Sequence, residues 1–360
     1  MGRFGAMEFS MRIIILCALW YATSTMSSIN HKVYLMKFKV PATLAITDLV
    51  LIVILSYIAT HAVTVRSEPI PRSVWYKWVL PISLGRALAC LTWLFSLWKV
   101  SIAYAHTVRA TLPFFTVIIK KCFLDERHGI LVYASIIPIV AGVCIATLTE
   151  FELSLPGVVC AALSTALLST MNVIAKRIYN EVDVHPIVLS RETALYAAIA
   201  VLPIWVVADS QMVTFPLIFQ TSMALKAQFV ILTVLSGVLN FAQTVLAFTL
   251  MRELSALAHA VASALKRLTV IVAALATYQV APFNLLNFLG MLVSICGVLL
   301  YNLARLGWRP SKSDASQRDV SYEQFALFTD RTPPTPPPST VYTSQADLKE
   351  LFRSSQWFRP

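Results

Sequence analysis

Charge is scarce in this sequence. Of its 360 residues only 13% are Asp, Glu, Lys or Arg, where a soluble domain carries about a quarter. Hydrophobic residues make up 58%, and the mean hydropathy is +0.71. Such a balance argues against a water-soluble globule. Acid is scarcest inside the apolar runs, where Asp48 is the one clearly intramembrane carboxylate. Paired carboxylates, metal-ligand clusters and nucleophile–base constellations are missing, so the chain does not read as an enzyme and calls for no cofactor or metal. The six cysteines, Cys17, Cys90, Cys122, Cys144, Cys160 and Cys296, sit in or beside apolar runs, and no loop pairs two of them. They read as small buried residues rather than a disulfide framework. No cleavable targeting segment is evident, and the first apolar run is expected to be kept as a signal anchor.

What is present is a series of runs long enough to span a bilayer, which takes roughly 20 mostly apolar residues. Ten are expected: 10–31, 42–64, 78–98, 103–122, 129–148, 155–177, 188–208, 228–250, 256–277 and 285–304. The third and fourth almost touch, as do the eighth and ninth, so each pair should form a tight helical hairpin. Repeated spans of this length are expected to be helical, because a lipid-facing backbone must satisfy its own hydrogen bonds. The expected fold is therefore an all-α integral membrane protein.

With a cytosolic N-terminus, the loops on that side hold Arg66, Arg72, Lys77, Lys120, Lys121, Arg127, Lys176, Arg177, Arg191 and Arg252, and the C-terminal tail adds Arg305, Arg309 and Lys312. The opposite side offers Lys37, Lys39, Lys99 and Lys226, and loops 149–154 and 278–284 hold no Lys or Arg. Positive charge concentrates on the cytosolic face, which puts both ends there. Much of the +11 formal charge is accounted for in this way, and no nucleic-acid motif accompanies it.

Two pairs of segments repeat. "STMSSINHKVY" (24–34) resembles "STMNVIAKRIY" (169–179), and "AHTVRATLPFFTVII" (105–119) resembles "AHAVASALKRLTVIV" (258–272). Offsets of about 145 and 153 residues divide the chain into five spans plus five. An odd number per half inverts the second half, giving a 5+5 inverted repeat. Such repeats build transporters whose substrate site lies near the midplane between the repeats. The expected division is a short cytosolic N-terminus (1–9), a first five-helix repeat (10–148), a second (155–305) and a disordered cytosolic tail (306–360).

Cations outnumber acids within the spans. Lys32 ends the first, Arg86 lies in the third, Arg109 in the fourth, and Lys266 and Arg267 stand side by side in the middle of the ninth. A charge at the bilayer centre costs roughly 2.5–3.5 kcal/mol on insertion scales, so it turns inward, pairs or lines water. One carboxylate neutralises one cation at most. Several excess cations around one cavity suit an anionic ligand, with Lys as a point charge and Arg as a bidentate fork. Other roles fit some of them: Lys32 snorkelling to the interface, Arg86 pairing with Asp48, Arg109 reaching a headgroup. His106 and His259 occupy equivalent repeat positions and suit either an interhelical hydrogen bond or a ligand contact. Tyr104, Thr107, Asn240 and Gln243 complete the candidate substrate-binding set, although any one of them taken singly better suits helix-to-helix bonding.

These segments resemble the triose-phosphate-translocator branch of the drug/metabolite transporter superfamily, and within it the solute carrier family 35 subfamily E, member-1-like group. "LWYATSTMSSINHKVYL", "KWVLPISLGRALACLTWLFSLWKVSIAYAHTVRATLPFFTV", "GVLNFAQTVLAF", "LSALAHAVASALKRLTVIV" and "NFLGMLVSICGVLLYN" carry the resemblance over roughly residues 10–305. It implies ten helices in an inverted repeat and exchange of phosphorylated or nucleotide-linked metabolites by alternating access. It also implies that Lys266 and Arg267 grip the substrate phosphate, with Lys32, Arg86 and Arg109 at further cationic positions of the family. Two of those positions carry Lys in the family and Arg here. His31, Ala256 and Ser263 also depart from its pattern, and these departures leave the substrate open.

The expected function is thus a secondary antiporter in the membrane of the Golgi or endoplasmic reticulum, exchanging organic phosphates, sugar phosphates or nucleotide sugars for a counter-substrate. The alternative is a non-transporting membrane scaffold acting through its cytosolic tail. That tail contains "TPPTPPPST" (332–340), with Thr332 and Thr335 each preceding proline, and "SQADLKELFRSSQWF" (344–358), which suits an amphipathic helix against lipid.

Overall fold

The computed structural model describes residues 2–62, 69–124, 129–150, 154–182, 184–210, 222–254, 256–277 and 284–307. The proline-rich and amphipathic stretches expected in the tail lie outside them. The described residues form helices: α1 (Gly2–Phe38), α2 (Pro41–Ala62), α3 (Arg72–Lys99), α4 (Ile102–Cys122), α5 (Ile130–Leu148), α6 (Leu155–Glu181), α7 (Pro186–Ala208), α8 (Met223–Glu253), α9 (Ala256–Thr277) and α10 (Leu285–Gly307). Among the described residues, nine of them are long and apolar enough to cross a membrane. The ninth expected span, 256–277, is present as the helix α9 and carries the Lys266–Arg267 pair.

Helix starts follow local chemistry. The Ser101 hydroxyl accepts from the Tyr104 amide at 3.2 Å, Ser222 from Leu225 at 3.4 Å, and the Asn284 side-chain oxygen from Leu286 at 3.0 Å. Each satisfies one of the amides that a first helical turn leaves unpaired. Pro186 opens α7 at a position where its missing N–H costs nothing. The α3–α4 hairpin turns at Val100 and Ser101, as the near contact of the two spans predicts. Internal prolines leave their mark as well. The fourth span divides into Ile102–Arg109 and Leu112–Leu124 just before Pro113, and the fifth divides at Ser135 before Pro138.

The tightest packing joins α5 to α10. A Cβ added at Gly142 would lie 2.4 Å from the Ser294 nitrogen and 2.5 Å from the Gly290 carbonyl. One added at Gly297 would meet the Ile139 nitrogen at 2.7 Å. Small residues allow the two backbones to touch, so dispersion replaces the hydrophobic drive that lipid cannot supply. The other principal pairings are α3 with α6, α1 with α8, α2 with α7, α3 with α7, α2 with α8, α4 with α6, α1 with α9 and α4 with α9. Tyr34, Leu44, Leu97, Tyr104 and Ile271 are fully enclosed in the main core, while Ile14, Ile58, Leu131 and Val207 project outward as a lipid-facing surface. All six cysteines are free thiols.

Candidate functional site

The break in α4 shapes the site. In an unbroken helix the Arg109 carbonyl would accept from the amide four residues on, and that residue is Pro113, which has none. Arg267 of α9 supplies a donor instead: its Nη1 lies 3.3 Å from the Arg109 oxygen. The Arg109 guanidinium itself stacks on Trp93 of α3, with Cζ 3.3 Å from the ring centroid. Trp93 also meets His106 edge-on at 5.3 Å, and His106 Nε2 lies 3.1 Å from the Ser28 hydroxyl of α1.

Lys266 faces another wall. Adjacent residues on a helix point about 100° apart, and Lys266 Nζ sits over the Trp20 ring of α1 at 4.2 Å from its centroid. Trp20 packs against His259 at 5.7 Å. The side-by-side pair on α9 therefore serves two neighbours, α1 through Lys266 and the broken α4 through Arg267. Arg267 follows Lys266 on α9 and reaches the Arg109 carbonyl, and Arg109 and His106 share Trp93, so the three cations and His106 lie in one region.

Within this cluster several buried polar atoms make no hydrogen bond: Arg109 Nε, Trp20 Nε1 and His259 Nε2. The first two can only donate. Two guanidiniums and an ammonium gathered with open donors form a surface suited to an acceptor-rich anion. Its binding would satisfy the donors and offset the repulsion among the cations.

The remaining candidate residues fall elsewhere. Lys32 donates to the Leu97 and Val100 carbonyls at 2.8 Å each, at the C-terminal end of α3. A cation there favours the exposed end carbonyls and the negative pole of the helix. Arg86 bonds α7, with Nη1 3.0 Å from the Ser190 carbonyl and 2.8 Å from the Thr193 hydroxyl. It does not pair with Asp48, whose carboxylate lies 3.1 Å from His31 Nε2. Asn240 also bonds Asp48, at 3.1 Å. Tyr104 is fully enclosed and shares a 2.8 Å hydrogen bond with Thr147 of α5, while the Thr107 hydroxyl bonds back to the Ala103 carbonyl at 2.9 Å. Gln243 is half-buried on α8. Among the described residues, no three His, Cys, Asp or Glu side chains come together in a way that could hold a metal ion.

Sequence reasoning overlooked Trp20 and Trp93. A signal existed: tryptophan favours the membrane interface, yet Trp20 falls mid-run, and both sit in spans of a chain rich in intramembrane cations. It also passed over Ser28, Ser236 and the partnership of His31, because short polar side chains on apolar helices give no pattern of their own.

The triose-phosphate transporter family model matches residues 11–302. Phosphoenolpyruvate/phosphate translocator 3 of Oryza sativa is 27% identical over 303 residues, covering 83% of this chain and 76% of its own. The non-green-plastid triose phosphate/phosphate translocator of Brassica oleracea is 25% identical, covering 83% and 74%. Glucose-6-phosphate/phosphate translocator 1 of Arabidopsis thaliana is 23% identical, covering 82% and 76%. The family match takes in every helix of the cationic cluster and almost the whole of the helical part, so this multi-pass membrane protein belongs to the triose-phosphate transporter family.

Proposed function

We propose that the protein is a secondary antiporter that exchanges phosphorylated organic anions across an endomembrane by alternating access. Lys266, Arg267 and Arg109 form its phosphate clamp. One observation carries this reading: three cations from two distant parts of the chain meet beside buried donors that have no protein partner. The named activities of the relatives, each a phosphate exchange, point to the same ligand chemistry. Sugar phosphates and phosphoenolpyruvate-like acids are the first substrate class, and nucleotide sugars, which also carry phosphate, the second.

Alternating access here uses two five-helix repeats, 10–148 and 155–305. Support comes from the packing pattern. Exchanging each helix for the one five places away turns α3–α6 into α8–α1, α3–α7 into α8–α2, and α4–α6 into α9–α1, while α2–α7, α4–α9 and α5–α10 map onto themselves. Ten spans with both ends cytosolic agree with the Lys and Arg bias of the loops. The Golgi or endoplasmic reticulum location rests on the sequence resemblance alone. An empty clamp holds mutually repelling cations and resists closure, and a bound phosphate removes that resistance, which makes exchange obligatory.

The test is counterflow in proteoliposomes made with purified protein, using labelled inorganic phosphate, sugar phosphates and nucleotide sugars. Wild type should take up label only when an anion is trapped inside. Lys266→Gln and Arg267→Gln should each lose at least about tenfold in kcat/KM, since a charge-assisted hydrogen bond contributes roughly 1.5–3 kcal/mol. Equal rates in wild type and variants would remove the clamp from consideration.

A further inference from the structure

A second cationic feature, made of none of the clamp residues, lies where α3 begins and α6 ends. Trp75, Tyr76 and Trp78 stand in the first turns of α3, which widen into a π-helical turn over Trp75–Val79. Such turns are rare and often mark functional sites. Trp75 meets Tyr196 of α7 edge-on at 4.8 Å, and Trp75 and Trp78 pack in one apolar cluster with Ile174 and Ile178 of α6. The cluster fixes the indoles and leaves them half-buried.

Trp78 gathers two cations from two helices. Lys77 Nζ lies 4.9 Å from its ring centroid, and Arg177 Cζ of α6 lies 5.7 Å from it. Both side chains are exposed, and Arg72, also exposed, opens α3. Neither Lys77 nor Arg177 pairs with a carboxylate among the described residues. The acid that touches this group, Glu181 of α6, is engaged by the indole: both its oxygens lie 3.1 Å from Trp78 Nε1. One ring thus brings two like charges together and leaves their N–H donors to whatever lies outside the protein.

We propose that this surface binds the phosphate headgroup of an anionic glycerophospholipid. A phosphodiester seated between Lys77 and Arg177 takes a point charge from one and a planar fork from the other, and offsets their repulsion. Position selects a lipid over a soluble anion. The apolar spans run Arg72–Lys99 and Leu155–Tyr179, so the cations stand at the membrane ends of α3 and α6, at the level where Trp and Tyr favour the interface. Met171 and Ile174, partly buried along α6, continue the surface toward the bilayer interior and offer an acyl chain an apolar wall. In the topology proposed above this end is cytosolic, and the cytosolic leaflet carries the anionic lipids. The site does not depend on what the protein transports.

The experiment places the purified full-length protein in phosphatidylcholine liposomes containing a minor share of phosphatidylserine, with brominated acyl chains on one lipid or the other. Bromine quenches nearby tryptophan. Brominated phosphatidylserine should quench wild type more than an equal amount of brominated phosphatidylcholine, and Trp78→Phe should lose that excess. Lys77→Gln and Arg177→Gln should each lower the preference for phosphatidylserine about fivefold, since a basic residue near an anionic surface contributes about 1 kcal/mol. Lys77→Arg, which keeps the charge, should retain it. Lys99→Gln removes another exposed lysine that sits over a ring, Trp98 at 3.9 Å, at the opposite end of α3, and should change nothing. Equal quenching of wild type by the two lipids, or an equal loss in Lys99→Gln, overturns the proposal. So does an excess that inorganic phosphate abolishes and chloride of matched ionic strength does not, which would assign the cations to a soluble anion.

Discussion

The Arg267 Nη1 lies 3.3 Å from the carbonyl oxygen of Arg109, the carbonyl that Pro113 leaves without a helical donor. Two residues 158 positions apart are thereby joined through a gap made by a third. The bond holds one cation of α9 against the backbone of another cation's helix, and it keeps both guanidiniums in one place.

Pro113→Ala tests this arrangement. Alanine restores an amide that competes for the Arg109 carbonyl and lets α4 run straight. Relieving an internal proline is worth up to about 3 kcal/mol of helix stability. The expected result is a higher unfolding temperature in detergent together with a phosphate exchange rate reduced about tenfold. A variant with unchanged stability and unchanged rate would show that the break has no part in placing Arg267.

Trp20 offers a finer probe. Its ring lies under the Lys266 ammonium, and its Nε1 makes no hydrogen bond. Trp20→Phe keeps an aromatic face and removes the N–H. A hydrogen-bond loss of about 1 kcal/mol predicts an increase in phosphate KM of about fivefold with kcat little changed. Trp20→Ala removes the cation–π contact as well and should cost about a further twofold to tenfold. Equal KM values for Phe and Trp would mean that the indole N–H does not reach the ligand.

Arg86 spends its hydrogen bonds on α7. Arg86→Gln should therefore lower thermal stability, by an amount on the order of 1–3 kcal/mol for a partly buried charged donor. The KM for phosphate should stay within about twofold. A large KM rise with unchanged stability would return Arg86 to the substrate set.

Glycine packing gives a matched pair of predictions. Gly142→Ala puts a methyl group within 2.4 Å of the Ser294 backbone, and backbone cannot swing away. Overpacking of this kind costs about 1–3 kcal/mol, so the variant should melt earlier and express poorly. Gly85→Ala meets only the Met171 side chain at 3.5 Å, an ordinary contact, and should be neutral or slightly stabilising. Similar melting of the two variants would contradict the close α5–α10 contact.

Much of the fold is legible in the chain itself. Long apolar runs, punctuated by prolines, glycines and polar caps, determined where the helices lie, because each must satisfy its own backbone in lipid. The α3–α4 hairpin and the break before Pro113 follow from local chemistry alone. The stock of intramembrane cations is equally plain, as is its excess over acid, and from these the preference for an anionic ligand follows. Tertiary structure decided which cations meet. Arg109, Lys266 and Arg267 converge, whereas Lys32 caps α3 and Arg86 anchors α7. It also paired Asp48 with His31, which sequence spacing could not reveal. A helix has an apolar surface in lipid on nearly every side, so its hydrophobic pattern does not say which face meets a neighbour. The direction of each charged side chain is settled only when another helix brings a ring, a carbonyl or a carboxylate within reach.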